Sequence, residues 1–144
     1  MTDSAELPDQ AASQVRLAAV RLSRRLRAQK SDDRVTDGQM TVLMHLSKHG
    51  SMTLSELAEA ERISAPSMNR TVDCLEGDGH VVRTPDDVDR RKTNITATDS
   101  GREIVAATLH KRNAWLAERM HELTADERAT LLAASEIMDR IATQ

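Results

Sequence analysis

The chain has 144 residues, which is the length of one domain with a buried core. It contains one Trp, no Phe and no Tyr, so aliphatic residues and seven Met must fill the core, which favours packed helices over a β-sandwich. The net charge of −3 argues against a uniformly basic nucleic-acid binder but permits a local basic surface. A single Cys excludes an internal disulfide and is typical of a reducing cytoplasm.

Two further classes find no support in the sequence. No apolar run approaches the ~20 residues that a membrane span needs, and the N-terminal residues lack the pattern of a signal peptide. No Gly-rich phosphate loop, Cys/His cluster or G-x-S-x-G motif is present. We therefore expect a cytoplasmic protein that is not an enzyme, with no cofactor, no metal site and no membrane partner.

The N-terminal part divides into a polar segment and a basic helix. Residues 1–10 are acidic and interrupted by Pro8, and we expect them to be flexible. A helical pattern follows from Ala11 to about Lys30, with an apolar stripe on one face and basic residues on the others. Such a helix is compatible with a membrane surface, with nucleic acid, or with a dimer in which its arginines pair with acidic residues near the C-terminus. We favour the dimer.

A second helix is predicted from its ends. Thr36 and Gln39 form a capping box that should begin it, and Gly50 should end it. His45 and His49 lie four residues apart on this helix, which is the spacing of a metal-binding pair, but no third ligand lies nearby in the sequence. Surface histidines are the better interpretation.

Two short helical patterns occupy the centre of the chain. Thr53 and Glu56 form another capping box. Ser64 is an N-cap for the next helix, and Pro66 lies in its first turn, where a missing N–H costs no hydrogen bond. The predicted buried face of this second helix consists of Ala65, Met68, Val72 and Leu75.

A predicted β-hairpin follows these helices. Gly77 and Gly79 should end the preceding helix, and residues 81–84 and 93–96 resemble paired strands on either side of a charged tip. Helix, turn, helix and a basic hairpin together are the layout of a winged helix-turn-helix. That layout places one helix in the DNA major groove.

The exposed face of the second central helix predicts contacts to bases and phosphates. The candidate residues are Ser64, Pro66, Ser67, Asn69 and Arg70. Arg can bind guanine bidentately, Asn can bind adenine, and Ser and the helix N-terminus suit phosphates. The alternative is that Arg70 pairs with Asp73 or Glu76 on the helix surface. Cys74 lies on the same helix, and its oxidation could disturb DNA binding or be incidental.

The hairpin tip supplies the second predicted contact. Arg90, Arg91 and Lys92 form a dense positive cluster on it. A slender tip that bears arginine suits the minor groove, whose potential is most negative where it is narrow.

These motifs resemble one known family. The run S-x-P-S-x-x-R-x-V-D-x-L-E-x-x-G, followed by D-R-R-K and I-T-A-T-D-S-G, is similar to the MarR family (multiple-antibiotic-resistance regulators) over almost the whole chain. The resemblance implies that Asp89 braces the wing arginine Arg91. Asp86 and Asp87 depart from the family pattern because they dilute the positive charge of the wing.

The C-terminal part predicts two more helices and a dimer. Thr98 should cap a helix that runs to about Glu122, and Thr124 with Glu127 should open the last one. Their apolar stripes, with that of the first helix, exceed what a small winged unit can bury, so we expect a homodimer. The resemblance implies the same. The predicted fold is mainly α with a small β-hairpin wing, and a winged helix-turn-helix domain at 35–98 lies between dimerisation regions at 11–34 and 99–144.

The resemblance also implies a small aromatic or phenolic effector. Candidates for binding it are Arg16, Met40, Met44, His45 and Trp115. The methionines serve equally well as core filler. The family's peroxide-sensing mechanism does not carry over, because it needs an N-terminal Cys and tyrosines. The predicted function is a ligand-responsive repressor that binds double-stranded DNA at a pseudo-palindromic operator. The alternative is a winged-helix module that binds other proteins.

Overall fold

The computed structural model describes residues 7–144, with side chains from Asp9 onward. Within that range the elements are α1 (Leu7–Arg27), α2 (Asp37–His49), β1 (Met52–Thr53), α3 (Leu54–Glu61), α4 (Ala65–Gly77), β2 (Val81–Pro85), β3 (Thr93–Ala97), α5 (Asp99–His121) and α6 (Ala125–Ala142). The predicted mainly α fold with a small hairpin wing is confirmed.

The first helix has different ends from those predicted. It begins at Leu7 rather than Ala11, and it ends at Arg27 rather than near Lys30. Pro8 lies in its first turn, where its missing N–H has no intrahelical partner to lose, so this proline does not prevent a helix. Residues 1–6 of the predicted flexible segment lie outside the described residues.

The chain forms two compact units. One contains α1 and Arg112–Gln144, and the other is Gln29–Lys111, so the division falls within α5. The second unit contains the helix-turn-helix and the wing, and it holds nearly all of the buried core. Its core residues are Val35, Met40, Val42, Leu43, Leu46, Leu57, Ala58, Met68, Val72, Leu75, Val81, Ile95, Ala97 and Val105.

Side-chain caps define two helix starts as the sequence predicts. The Thr36 hydroxyl accepts from the Gln39 N–H at 3.1 Å while the Gln39 side chain accepts from the Thr36 N–H at 3.0 Å. Thr124 and Glu127 make the same two bonds, at 3.1 and 2.8 Å. Both capping boxes are confirmed, because each depends only on residues three positions apart.

The sheet contains a strand that the sequence pattern did not predict. Its order is β1-β3-β2, with both pairs antiparallel, and β1 places Thr53 opposite Asn94. Thr53 also caps α3, because its hydroxyl accepts from the Glu56 N–H at 3.2 Å. The predicted reciprocal half of this capping box is not formed. A two-residue strand is too short to produce a recognisable alternation.

Helix α4 packs its inner face on the core. Met68, Val72 and Leu75 are fully buried, as predicted. Ala65, predicted to share that face, is exposed, because it lies in the first turn, beyond the edge of the core.

The turn after α4 positions both the wing and α5. Gly79 has a φ of +80°, and the N–H of His80 donates to the Leu75 carbonyl at 2.8 Å, so α4 ends in a Schellman motif. The N–H of Thr98 donates to the carbonyl of His80 at 3.0 Å. A Cβ at Gly101 would approach the same carbonyl oxygen to 2.3 Å, so only glycine fits there without a shift.

The first unit exposes much of its apolar surface. No residue of α6 is buried, and Leu132 and Ile141 are 61% and 65% exposed. On α1, Val15 is 57% exposed. The only aromatic residue of the sequence, Trp115, is half-buried in α5, with the guanidinium of Arg119 at 3.9 Å from its ring centroid.

Candidate nucleic-acid interface

The start of α4 is organised by two serines. The Ser64 hydroxyl accepts from the Ser67 N–H at 3.2 Å and donates to the Ser67 hydroxyl at 2.9 Å. Pro66 occupies the first turn, and both Ser64 and Pro66 are exposed. An N-terminus with exposed N–H groups and hydroxyls can accept a phosphate.

Arg70 is exposed on the outer face of α4. Its Nη2 donates to the Ser67 hydroxyl at 3.3 Å. The alternative in which Arg70 pairs with Asp73 or Glu76 is wrong, because both carboxylates bind Arg83 instead. The Arg70 guanidinium therefore keeps most of its donors for a ligand outside the protein.

Arg83 of β2 is the residue that the sequence analysis missed. Its Nη1 lies 2.8 Å from Asp73 Oδ1 and 2.9 Å from Glu76 Oε1, and its Nη2 donates to Asn69 Oδ1 at 3.0 Å. These bonds join the wing to α4. The alternation of β2 was an available signal, because Arg83 lies two residues after the buried Val81 and therefore on the same face of the strand.

The wing tip is built around Asp86. Its Oδ1 accepts from the N–H groups of Val88 and Asp89 at 2.8 and 2.9 Å, and its Oδ2 accepts from the Asn94 amide at 3.0 Å. The hydrogen bonds from the N–H groups of Asp89 and Val88 are the main cause that lowers the pKa of Asp86. Asp86 thus does more than dilute the charge of the wing, since it fixes the turn that presents the basic residues.

Asp89 contacts Arg91 at the same tip. The carboxylate lies 3.1 Å from Nε of Arg91, and this side-chain hydrogen bond is the largest cause that lowers the pKa of Asp89. The Arg91 side chain is nevertheless 91% exposed. Arg90 and Lys92 are exposed beside it. The effect of this contact on DNA binding stays a prediction.

One cleft gathers residues from the helix-turn-helix and the wing. It has a volume of about 470 Å³ and is lined by Thr53, Leu54, Ser55, Glu56, Asn69, Arg83, Arg91, Lys92, Thr93 and Ile95. Three of the predicted DNA-binding residues, Asn69, Arg91 and Lys92, therefore line one depression. Ser64, Pro66, Ser67, Arg70 and Arg90 lie outside its lining.

The five predicted effector residues belong to different units. Arg16 and Trp115 lie in the first unit, and Met40, Met44 and His45 lie in the second. Met40 is 1% exposed and part of the core, so the interpretation of the methionines as core filler applies to it. Met44 and His45 are half-buried.

His45 and His49 of α2 each have a side-chain neighbour in the structure. His45 Nε2 lies 2.5 Å from Glu61 Oε1, and the rings of His45 and His49 stack at 6.1 Å. Over residues 7–144, no three His, Cys, Asp or Glu side chains are grouped as metal ligands. Cys74 is a free, exposed thiol on α4. No helix in the described range has the length and apolar character needed to cross a membrane.

Comparisons with known proteins agree with this geometry. Residues 35–93 match the model of the MarR family. An uncharacterized helix-turn-helix transcriptional regulator of Mycobacterium bovis is 39% identical over 127 residues, which cover 88% of this chain and 89% of the relative. The transcriptional repressor MdtR of Bacillus subtilis is 33% identical over 75% of this chain and 68% of its own length. In fold, the chain is similar to a MarR family protein from Bacillus stearothermophilus, with a TM-score of 0.84, 20% identity and coverage of 99% and 100%.

Proposed function

The chain belongs to the MarR family of helix-turn-helix transcriptional regulators, and from that premise we propose that it is a homodimeric repressor of the cytoplasm. In this proposal α4 enters the major groove and the wing enters the adjacent minor groove. The observation that carries the proposal is the cleft of about 470 Å³, which is lined by Asn69 of α4 and by Arg91 and Lys92 of the wing. Two contact elements on one side of a unit can engage one stretch of duplex.

The two elements have different chemistry, which supports different roles. Arg70 is an exposed fork of donors on a helix, and such a fork suits the O6 and N7 acceptors of guanine in the major groove. Arg91 is held on a narrow turn, and the minor groove offers only a degenerate code to such a residue. We therefore assign base readout to Arg70 and mainly electrostatic binding to Arg90, Arg91 and Lys92.

The homodimer is proposed from the apolar surface of the first unit. Helix α6 has no buried residue, although it carries Leu132, Ile137 and Ile141, each at least 50% exposed. Exposed side chains of this size along one helix indicate a protein interface. A second copy of the chain would cover them under two-fold symmetry.

Two-fold symmetry fixes the form of the operator. Each subunit presents one α4, so the site should be pseudo-palindromic, with half-sites about one helical turn, ~10 bp, apart. We propose repression because an operator that overlaps a promoter blocks polymerase, and because the relative MdtR is named a repressor. We also propose that the repressor responds to a small aromatic or phenolic effector.

Selection of genomic fragments followed by footprinting tests the proposal. The purified protein should retain a small set of fragments and protect two symmetric half-sites in each. Addition of salicylate, as a phenolic probe, should release the fragments if the effector proposal is right. Failure to retain any fragment would favour the alternative of a protein-binding winged helix. Protection of one asymmetric half-site would contradict the dimeric mode of binding.

A further inference from the structure

Asn69, Asp73 and Arg83 form a closed ring of polar contacts at the surface of the predicted recognition helix. Arg83 Nη2 donates to Asn69 Oδ1 at 3.0 Å, and Asn69 Nδ2 donates to Asp73 Oδ2 at 3.3 Å. The ring closes where Arg83 Nη1 lies 2.8 Å from Asp73 Oδ1. Each planar side-chain group contributes two neighbouring atoms, one to each of its two contacts in the ring.

The chemistry of the partners fixes the orientation of the Asn69 amide. A guanidinium has only donors, so the amide atom that faces Arg83 must be the oxygen. A carboxylate has only acceptors, so the amide atom that faces Asp73 must be the nitrogen. The two partners require the same orientation, and a flipped amide would place two donors together at one contact and two acceptors at the other.

This orientation conflicts with the predicted role of Asn69 as an adenine reader. Bidentate recognition of adenine uses the amide oxygen and the neighbouring N–H together, as acceptor and donor on one edge. In the ring that edge faces Arg83 and Asp73. What remains for a base is the second N–H of Nδ2 and the second lone pair of Oδ1, which point away from each other and cannot contact adenine bidentately.

We propose that Arg83 is a positioning residue that sets base preference by occupying the bidentate edge of the Asn69 amide. The inference rests on the proposed function, because it requires α4 to lie in the major groove. At the base pair that Asn69 faces, adenine should then have no advantage over the other bases, because the bidentate contact cannot form.

Arg83 is suited to this role because its other bonds do not depend on Asn69. Glu76 accepts from Nη1 at 2.9 Å and from the backbone N–H of Arg83 at 3.2 Å. The Arg83 side chain is 23% exposed, against 56% for Asp73. The guanidinium thus remains fixed when Asn69 changes, whereas the amide loses its oxygen partner when Arg83 changes.

The test is a panel of single base-pair changes in the footprinted operator, titrated with four proteins by fluorescence anisotropy. These are the wild type, Asn69→Ala, Arg83→Lys and Arg83→Lys combined with Asn69→Ala. Lysine keeps a positive charge beside Asp73 and Glu76 but lacks the second planar nitrogen that holds Asn69 Oδ1. Arg83→Lys should therefore gain a preference for adenine of about tenfold at one position of each half-site. The double variant should lose that gain.

Matched controls separate this role from a merely structural one. Arg34→Lys alters an arginine that pairs with Asp32 outside the ring, and it should leave the base profile unchanged. The chemical shifts of the Asn69 side-chain N–H groups are sensitive to the hydrogen bonds of the ring. They should differ between the wild type and Arg83→Lys even if the two proteins have the same free energy of unfolding.

Each outcome of the panel is decisive. A wild type that already prefers adenine, with the preference removed by Asn69→Ala, would overturn the inference. So would a base profile that Arg83→Lys leaves unchanged. If the wild type gave no footprint at all, the proposed function itself would fail, and the inference would fail with it. An intact footprint with an unaltered profile would overturn the inference alone.

Discussion

Oδ1 of Asp89 accepts hydrogen bonds from both the backbone N–H and Nε of Arg91, at 3.1 Å in each case. The contact orients the arginine at the base of its guanidinium while 91% of its side chain stays exposed. An arginine ordered before binding loses less side-chain entropy when it enters a groove. The carboxylate thus contributes orientation, although its charge opposes a DNA ligand.

Asp89→Asn and Asp87→Asn form a matched pair that isolates this orientation. Each removes one negative charge from the wing, but only Asp89 contacts Arg91. Asp87→Asn should strengthen binding to any duplex slightly, because the charge that opposes the phosphates is lost. Asp89→Asn should bind the duplex no more strongly than the wild type, or more weakly, because it also removes the contact that orients Arg91. Titration of both variants against one operator duplex checks this, and equal behaviour would mean that orientation of Arg91 is unimportant.

The wing tip should retain its structure in mild acid. Hydrogen bonds lower the folded-state pKa of Asp86 and Asp89 below the ordinary value of 3.8. A depressed pKa contributes stability that is fully present above the unfolded pKa and is lost as pH falls through the folded pKa. The N–H signals of Val88 and Arg91 should therefore be constant between pH 7 and about pH 4. In the Asp86→Asn variant they should be altered throughout that range.

Gly101→Ala should destabilise the protein, because the added Cβ would lie 2.3 Å from the backbone oxygen of His80. Backbone cannot move aside as a side chain can, so a cost of about 1–3 kcal/mol in the free energy of unfolding is expected. Gly77→Ala is the control, since its Cβ meets nothing within 4 Å and its φ is not positive. Urea unfolding of both variants tests this, and a Gly101→Ala variant as stable as the wild type would contradict the close packing.

Features of the fold that depend on residues close together in the chain were predictable from the sequence. Contacts between distant segments were not. Thr36 with Gln39, and Thr124 with Glu127, sit three residues apart, so the chain brings them together whatever the rest of the molecule does. Helix α1 starts earlier than predicted because Pro8 lies in its first turn, where a proline is tolerated. These are errors of boundary rather than of element type.

In the candidate site too, local features were predictable and contacts between distant segments were not. The outward position of Arg70 follows from helical spacing within α4. The ring of Asn69, Asp73 and Arg83 depends on how β2 packs against α4, and Arg83 lies fourteen residues from Asn69 in the chain. No short pattern predicts that Arg83 reaches Asp73, and the sequence analysis considered only Arg70 as a partner of Asp73, as an alternative.

Leu132→Glu should prevent dimerisation, because it places a charge in the apolar surface of α6, where Leu132 is 61% exposed. Val88→Glu is the matched control, since Val88 is 97% exposed at the wing tip and belongs to the other unit. Sedimentation should find a dimer for the wild type and for Val88→Glu, and a monomer or unfolded chain for Leu132→Glu. A wild type that is a stable folded monomer at micromolar concentration would contradict the proposed dimer.

Arg70→Ala and Arg91→Ala should separate base readout from electrostatic binding. Arg70→Ala removes a donor fork from α4, so it should cost about 1–3 kcal/mol per lost bidentate contact, chiefly on the cognate duplex. Arg91→Ala removes a wing charge, so it should weaken cognate and scrambled duplexes more evenly. It should also reduce the slope of log affinity against log salt by about one unit for each lost phosphate contact.

The measurement is a titration of both variants against cognate and scrambled duplexes at two salt concentrations. Thermal unfolding and sedimentation should be nearly unchanged in both, because Arg70 and Arg91 are exposed and neither belongs to the core. The ratio of cognate to scrambled affinity is therefore the informative quantity, since Arg70→Ala should lower it and Arg91→Ala should leave it almost constant. An equal loss on both duplexes for Arg70→Ala, with a loss confined to the cognate duplex for Arg91→Ala, would reverse the assignment of the two elements.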